Sequence, residues 1–126
     1  MRKILVGTIV IHVLILIIFS TTSMADGNYL LKGCQEAVIF FDDEDALGDP
    51  GSGAGHCVGA VSAITDAMSL YNGTAPTYMR VCRPDEIPNI QGVRIVLKYL
   101  KNNPEKLHKF EAYLIMDAFF KAFPCK

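Results

Sequence analysis

The chain has 126 residues, is 51% hydrophobic, and carries 12 basic against 13 acidic residues for a formal net charge of −1. That length holds one ordinary domain. The near balance of charge excludes the basic footprint with which a protein engages nucleic acid or an anionic membrane surface.

In chain order, Met1-Arg2-Lys3 precedes an apolar run over residues 4–19, and Ser23-Met24-Ala25 places small residues at the two positions a signal peptidase reads. This is the pattern of a cleavable secretory signal, residues 1–25, with cleavage after Ala25. The alternative is an uncleaved anchor, but about 20 apolar residues are needed to span a bilayer and this run, broken by His12, falls short. The mature domain is then residues 26–126, with a formal net charge of about −3 once Arg2 and Lys3 are gone. It has no membrane segment of its own.

All four cysteines, Cys34, Cys57, Cys82 and Cys125, fall in the exported part. An even count in a small exported chain reads as a disulfide framework. Three pairings exist and sequence alone does not choose between them. The favoured one is Cys34–Cys57 with Cys82–Cys125, because each pair brackets a helical unit.

Asp26 is placed to cap a first helix whose apolar face is Leu30, Leu31, Cys34, Val38 and Phe41. The acids Asp42, Asp43, Glu44 and Asp45 then lead into a tract rich in glycine with Pro50, which reads as a mobile acidic loop over residues 42–55. A second helix is predicted from His56 or Cys57 to Tyr71, with Cys57, Val61, Ile64, Met68 and Tyr71 on one face. Gly59 and Ala60 would let a neighbouring helix approach, and Asn72-Gly73 would end the helix with a left-handed cap.

A loop over residues 72–80 follows, carrying Tyr78, Met79 and Arg80. Tyr78 and Met79 either stand exposed, an unusual tip for a small protein, or fold back onto the core. Beyond Cys82-Arg83-Pro84, apolar positions Ile90, Val93, Val96, Leu97 and Leu100 recur at helical spacing. So do Leu107, Phe110, Leu114, Ala118 and Phe119. Asn103 and Pro104 are suited to start the second of these helices, with Glu105 near its positive end. A hairpin of two such helices brings Cys82 and Cys125 together. No stretch alternates with period two, so the expected fold is all-α: a compact, disulfide-bonded bundle of about four main helices with irregular loops.

No catalytic or metal-binding pattern stands out in the chain. Taking Asp43 as the first position of a calcium loop puts Leu47 at the fifth and Ala54 at the twelfth, where oxygen donors are required. His56 adjoins Cys57, but neighbouring helical residues point about 100° apart and a paired cysteine is no nucleophile. No Cys-x-x-Cys spacing suggests zinc. His108 and the set Lys98, Lys101, Lys106 and Lys109 read as a solvated helix face. The chain is therefore read as a non-enzyme without metal or cofactor.

The order of landmarks is more informative. Cys57-Val58-Gly59 opens a helix containing Asp66, and Cys82-Arg83-Pro84 follows. Next come Gln91, Val96-Leu97-Lys98-Tyr99-Leu100 and Asn103-Pro104-Glu105-Lys106-Leu107-His108, and Ala118 leads to Ala122-Phe123-Pro124-Cys125. In this order and spacing the chain resembles the Rap/Tai family, immunity proteins against type VI secretion amidase effectors, over nearly the whole mature domain. Pro88 stands where the family usually places a serine or threonine cap before Gln91, and Asn89 is expected to take over that cap.

The resemblance implies a periplasmic, all-helical protein, often a homodimer, that binds a peptidoglycan amidase effector and blocks its active site. On that reading the two loops make the contacts. Asp42, Asp43, Glu44 and Asp45 steer a basic effector, and Asn72, Tyr78, Met79 and Arg80 form the anchoring loop. The competing reading is a general periplasmic helical chaperone or envelope structural protein sharing the fold.

Overall fold

Asp26 caps the helix that follows it. Its Oδ1 accepts the backbone N–H groups of Asn28 and Tyr29, each at 3.0 Å, and so satisfies two of the donors that a helix start leaves unpaired. The hydrogen bond from the Tyr29 N–H, with further ones from Asn28, holds the Asp26 carboxyl below its ordinary pKa of 3.8 against the opposing pull of burial. The computed structural model describes residues 26–43 and 49–125. Residues 1–25, on which the signal-peptide reading falls, lie outside them, as do Glu44 and Asp45.

Among the described residues there are four α-helices: α1 (Gly27–Asp42), α2 (Gly51–Asn72), α3 (Asn89–Asn102) and α4 (Glu111–Ala122). Two 3-10 turns, Thr77–Met79 and Pro104–Lys106, lie in the connections. No strand occurs among the described residues, only isolated pairings of Asp26 with Phe110 and of Val81 with Pro124. The fold is the all-α, disulfide-bonded bundle expected from the sequence.

The core lies where all four helices meet. Leu30 from α1, Val61 from α2, Val93, Val96 and Leu100 from α3, and Leu114, Ile115 and Phe119 from α4 are almost wholly removed from water. Cys34 and Cys57 join them in one hydrophobic cluster, bonded to each other at 2.00 Å. The second bond, Cys82–Cys125 at 2.03 Å, closes the outer ends of the α3–α4 hairpin. Both bonds follow the pairing favoured from the sequence.

Several local expectations are corrected. Helix α2 starts at Gly51, not at His56 or Cys57, so residues 51–55 are helical rather than part of a mobile loop. Gly51 supplies a left-handed turn (φ 71°) and donates its N–H to Asp49 Oδ1 at 3.1 Å. The glycines that weaken helix propensity by about 1 kcal/mol each are offset by contact. At Gly33 and Gly53 the backbones of α1 and α2 touch so closely that a Cβ on Gly33 would meet the Gly53 carbonyl oxygen. This crossing, not Gly59, is where the helices approach: a Cβ at Gly59 would meet nothing within 4 Å.

Helix α2 ends without a left-handed cap, because Gly73 stays right-handed (φ −64°, ψ −27°). Its Tyr71 carbonyl is met instead by the turn, where the Thr74 and Ala75 N–H groups both donate to it, at 3.0 and 2.9 Å. Phe41 and Tyr71 are exposed rather than on the buried faces assigned to them.

At the start of α3 the cap position is Pro88, with no side-chain cap, so Asn89 does not take over that role. The Pro88 carbonyl accepts from Gln91 and Gly92 instead. Between α3 and α4, Asn103 does not cap a helix at Pro104: its side-chain amide donates to Tyr99 O at 2.8 Å. A 3-10 turn over Pro104–Lys106 and further turns carry the chain to Glu111, so Leu107, His108 and Phe110 precede α4 rather than lying on it. Phe110 is 82% exposed.

Candidate functional site

The loop between α2 and α3 projects from this frame and is braced at its neck. Asn72, the last residue of α2, grips Val81 by both backbone groups: Val81 N–H donates to Asn72 Oδ1 at 3.0 Å, and Asn72 Nδ2 donates to Val81 O at 2.6 Å. Val81 pairs with Pro124, and Cys82 N–H donates to Phe123 O at 2.9 Å, two residues before the disulfide partner Cys125. Asn72 thus braces the neck of the loop.

Above the neck the loop is held by its own bonds. Met79 N–H donates to Pro76 O at 2.8 Å, Arg80 N–H to Thr77 O at 3.1 Å, and the Arg80 Nε–H to Ala75 O at 2.6 Å. Ala75 is buried beneath the loop. At the apex Tyr78 is 84% exposed, with Met79 and Arg80 also exposed, so the folded-back alternative does not hold. On the turn of α2 leading into the loop, Leu70 is 85% exposed and Tyr71 about half exposed. The sequence reading missed Leu70. Its signal was present, since Leu70 falls off the row of Val61, Thr65 and Met68 that faces the core.

The acidic stretch is placed differently. Asp42, the last residue of α1, is bonded to the Arg94 guanidinium on α3, and both side chains are half exposed. Its charge is largely matched within the molecule, which reduces its value for steering a partner. Asp43 is exposed. Asp42 at the end of α1 and Tyr78, Met79 and Arg80 in the α2–α3 loop thus stand on separate elements.

Beside the tip a groove of about 240 Å3 is floored by Met68, Val81 and Phe119 and edged by Ser69, Arg83 and Asp85. No histidine lines it. His56 lies elsewhere, its Nε2 2.6 Å from Glu111 Oε2 with the Tyr29 ring edge-on at 5.0 Å, and its neighbour Cys57 is locked in a disulfide. Among the described residues no three histidine, cysteine, aspartate or glutamate side chains converge as a metal site.

The lysines are not a uniform wet face. Lys98, Lys101 and His108 are exposed, but Lys106 Nζ lies 3.0 Å from the Tyr99 hydroxyl and 3.2 Å from Asp117 Oδ2, and Lys121 stands 3.8 Å from the same carboxylate. The Tyr99 hydroxyl donates to Asp117. Burial, joined by the Asp117 contact, pushes the Tyr99 phenol up. Burial also works to raise Asp117, but the hydrogen bonds from Tyr99 and Lys106 outweigh it and hold the carboxyl down. The bonds to Tyr99 and Asp117 keep the Lys106 ammonium above its ordinary range. This network ties α3, the Pro104–Lys106 turn and α4 together.

The geometry is that of a cross-linked frame presenting a shaped, partly apolar loop, and comparison with known proteins agrees with it. A model of the Rap1a immunity proteins matches residues 26–125. The chain belongs to the Rap1a immunity protein family. No curated protein and no solved structure matches it. Membership in the Rap1a family assigns an immunity function, whose partner is a cognate effector, and covers the same span as the landmark pattern in the sequence. The two disulfides suit an oxidising, exported setting.

Proposed function

We propose that this Rap1a family member is a periplasmic immunity protein, exported by a cleaved signal over residues 1–25, that binds a type VI secretion peptidoglycan amidase and occludes its active site. The observation that carries the reading is Tyr78, 84% exposed at the apex of a loop braced at its neck by Asn72 and by a disulfide. Exposing a large aromatic side chain has no folding benefit, whereas aromatic and arginine side chains on a rigid element are the usual anchors of an interface. A loop already held in shape loses little conformational entropy on binding, so more of its contact energy appears as affinity.

Tyr78, Met79 and Arg80 fill the amidase cleft in this reading, and Leu70 and Tyr71 extend the apolar surface at its edge. Asp43, Glu44 and Asp45 contribute long-range attraction to a basic effector, a term that acts on the association rate and weakens with salt. Asp42 contributes less, since Arg94 already matches it.

Two measurements test this. Export of the protein should rescue cells that make the cognate amidase in their periplasm, an outcome that a general chaperone would not give selectively. Tyr78→Ala should weaken the purified complex by more than about 2 kcal/mol, roughly thirtyfold in Kd, while shifting folding stability by less than about 0.5 kcal/mol. Unchanged affinity in Tyr78→Ala and in Arg80→Ala would remove this loop from the interface.

A further inference from the structure

The two disulfides sit in opposite surroundings. Cys34 and Cys57 are 0% exposed within the core cluster, whereas Cys82 is exposed and Cys125 half-buried. Thiol–disulfide exchange requires a thiolate to reach a sulfur of the bond, so access separates the two bridges before any other property does.

The accessible bridge is also the one at the neck of the tip. Residues 73–81 are tied to the bundle on one side through Asn72, the end of α2, and on the other through Cys82. The second tie consists of the covalent bond, the Val81–Pro124 pairing, the Cys82 N–H to Phe123 O bond, and the Asn72 grip on Val81, whose side chain is buried in the core cluster. The hydrogen bonds at the apex, from Met79 to Pro76, from Arg80 N–H to Thr77 and from Arg80 Nε–H to Ala75, are internal to the loop and do not anchor it to the frame.

We propose that the Cys82–Cys125 bridge is a redox latch: reduction by a dithiol removes the covalent tie and loosens residues 73–81, which the Asn72 grip and the burial of Val81 then hold alone, while the Cys34–Cys57 bond and the four helices stay intact. One thiolate of the dithiol attacks a sulfur of Cys82–Cys125, the S–S bond breaks, and a mixed disulfide forms. The second thiol then displaces the remaining cysteine. The products are two cysteine thiols and the oxidised, disulfide form of the reductant, with two electrons passed and the two thiol protons of the reductant taken up by the cysteines. The consequence for immunity rests on the tip being the effector surface: that surface is fully set only where the bridge is oxidised, and the reduced chain is a folded frame with a loosened loop.

The test titrates the folded full chain with dithiothreitol near neutral pH, traps thiols by alkylation, and maps them by mass spectrometry beside amide exchange. Cys82 and Cys125 should be alkylated at least about tenfold faster than Cys34 and Cys57, and exchange in residues 73–81 should rise about tenfold while helix amides stay protected. Equal alkylation rates, earlier reduction of Cys34–Cys57, or loss of helix protection in step with the loop would each overturn the latch. The Cys82→Ser/Cys125→Ser variant should show the same confined exchange, and if it does not fold, the partly reduced native chain decides alone. Binding of the partly reduced protein to the amidase should fall about tenfold or more. An unmoved affinity with a loosened loop would leave the latch standing and sink the tip as the contact surface.

Discussion

The two halves of the molecule use the same covalent device for opposite purposes. In the α1–α2 half the Cys34–Cys57 bond lies inside the core, beside the contact of Gly33 with Gly53, and fixes helix against helix. In the α3–α4 half the Cys82–Cys125 bond lies at the surface, beyond the ends of the helices, and fixes the base of an irregular loop. A buried bridge stabilises a frame, and an accessible one sets the shape of what the frame presents.

Removing each bridge should break this comparison most sharply. Chain entropy alone favours the longer loop: closing 43 residues rather than 23 is worth only about 0.5 kcal/mol more, on totals of about 3–4 kcal/mol. Burial reverses the order. Serines in place of Cys34 and Cys57 put hydroxyls in an apolar cluster, which adds about 1–3 kcal/mol where they find no partner. The Cys34→Ser/Cys57→Ser variant should therefore lose about 4–6 kcal/mol in urea unfolding, against about 2–4 kcal/mol for Cys82→Ser/Cys125→Ser. A neck variant less stable than the frame variant would show that loop length outweighs burial here.

Next in size are the glycines of the α1–α2 half. Gly33→Ala adds a methyl against the Gly53 carbonyl, backbone that cannot step aside, and should destabilise by about 1–3 kcal/mol despite alanine's better helix propensity. Gly59→Ala meets open space and should stabilise by up to about 1 kcal/mol. Thermal unfolding of the pair should thus give shifts of opposite sign.

These glycines also show where the sequence was legible. The helical rows through Leu30 and Cys34, through Val61 and Met68, and through Val93, Val96 and Leu100 are apolar because they face one core, so periodicity finds them and with them the fold and both bridges. The start of α2 was hidden, because Gly51, Gly53 and Ala54 read locally as loop, whereas Gly53 packs directly on Gly33 and Glu36 of α1 and Ala54 is buried in the core. The late start of α4 was hidden for the same kind of reason. Leu107 and Phe110 lie at helical spacing from Leu114, but Phe110 is drawn off that line by its pairing with Asp26, 84 positions away in sequence. At the tip, sequence marked Tyr78, Met79 and Arg80 but not their support, since the grip of Asn72 on Val81 spans a loop whose closure no local pattern announces.

That grip is the next test of the second half. Asn72→Ala removes two hydrogen bonds and leaves the half-buried groups of Val81 short of partners, a loss of about 1–2 kcal/mol. Cys82–Cys125 still closes the neck in this variant, so the helix core should keep its protection while amide exchange rises in residues 73–81. A uniform rise across α1 and α2 would mean that tip and frame are one cooperative unit.

The smallest effect concerns Asp26, which joins the halves through its pairing with Phe110, and it carries a sign that can be fixed in advance. The Tyr29 N–H, aided by Asn28, holds the folded-state pKa of Asp26 below the ordinary 3.8. A carboxyl whose folded pKa is depressed contributes stability that is fully present above the unfolded pKa and is lost as pH falls through the folded one. Its contribution should be constant at neutral pH and should fade only below about pH 4. Asn at this position keeps an oxygen acceptor for the Asn28 and Tyr29 N–H groups but does not ionise. Asp26→Asn should thus stay close to the native protein in stability at neutral pH and differ from it by a flatter acid limb, whereas Asp26→Ala should be less stable throughout. Parallel acid limbs for the native protein and Asp26→Asn would show that the carboxylate's charge has no part in the cap, which would then rest on geometry alone.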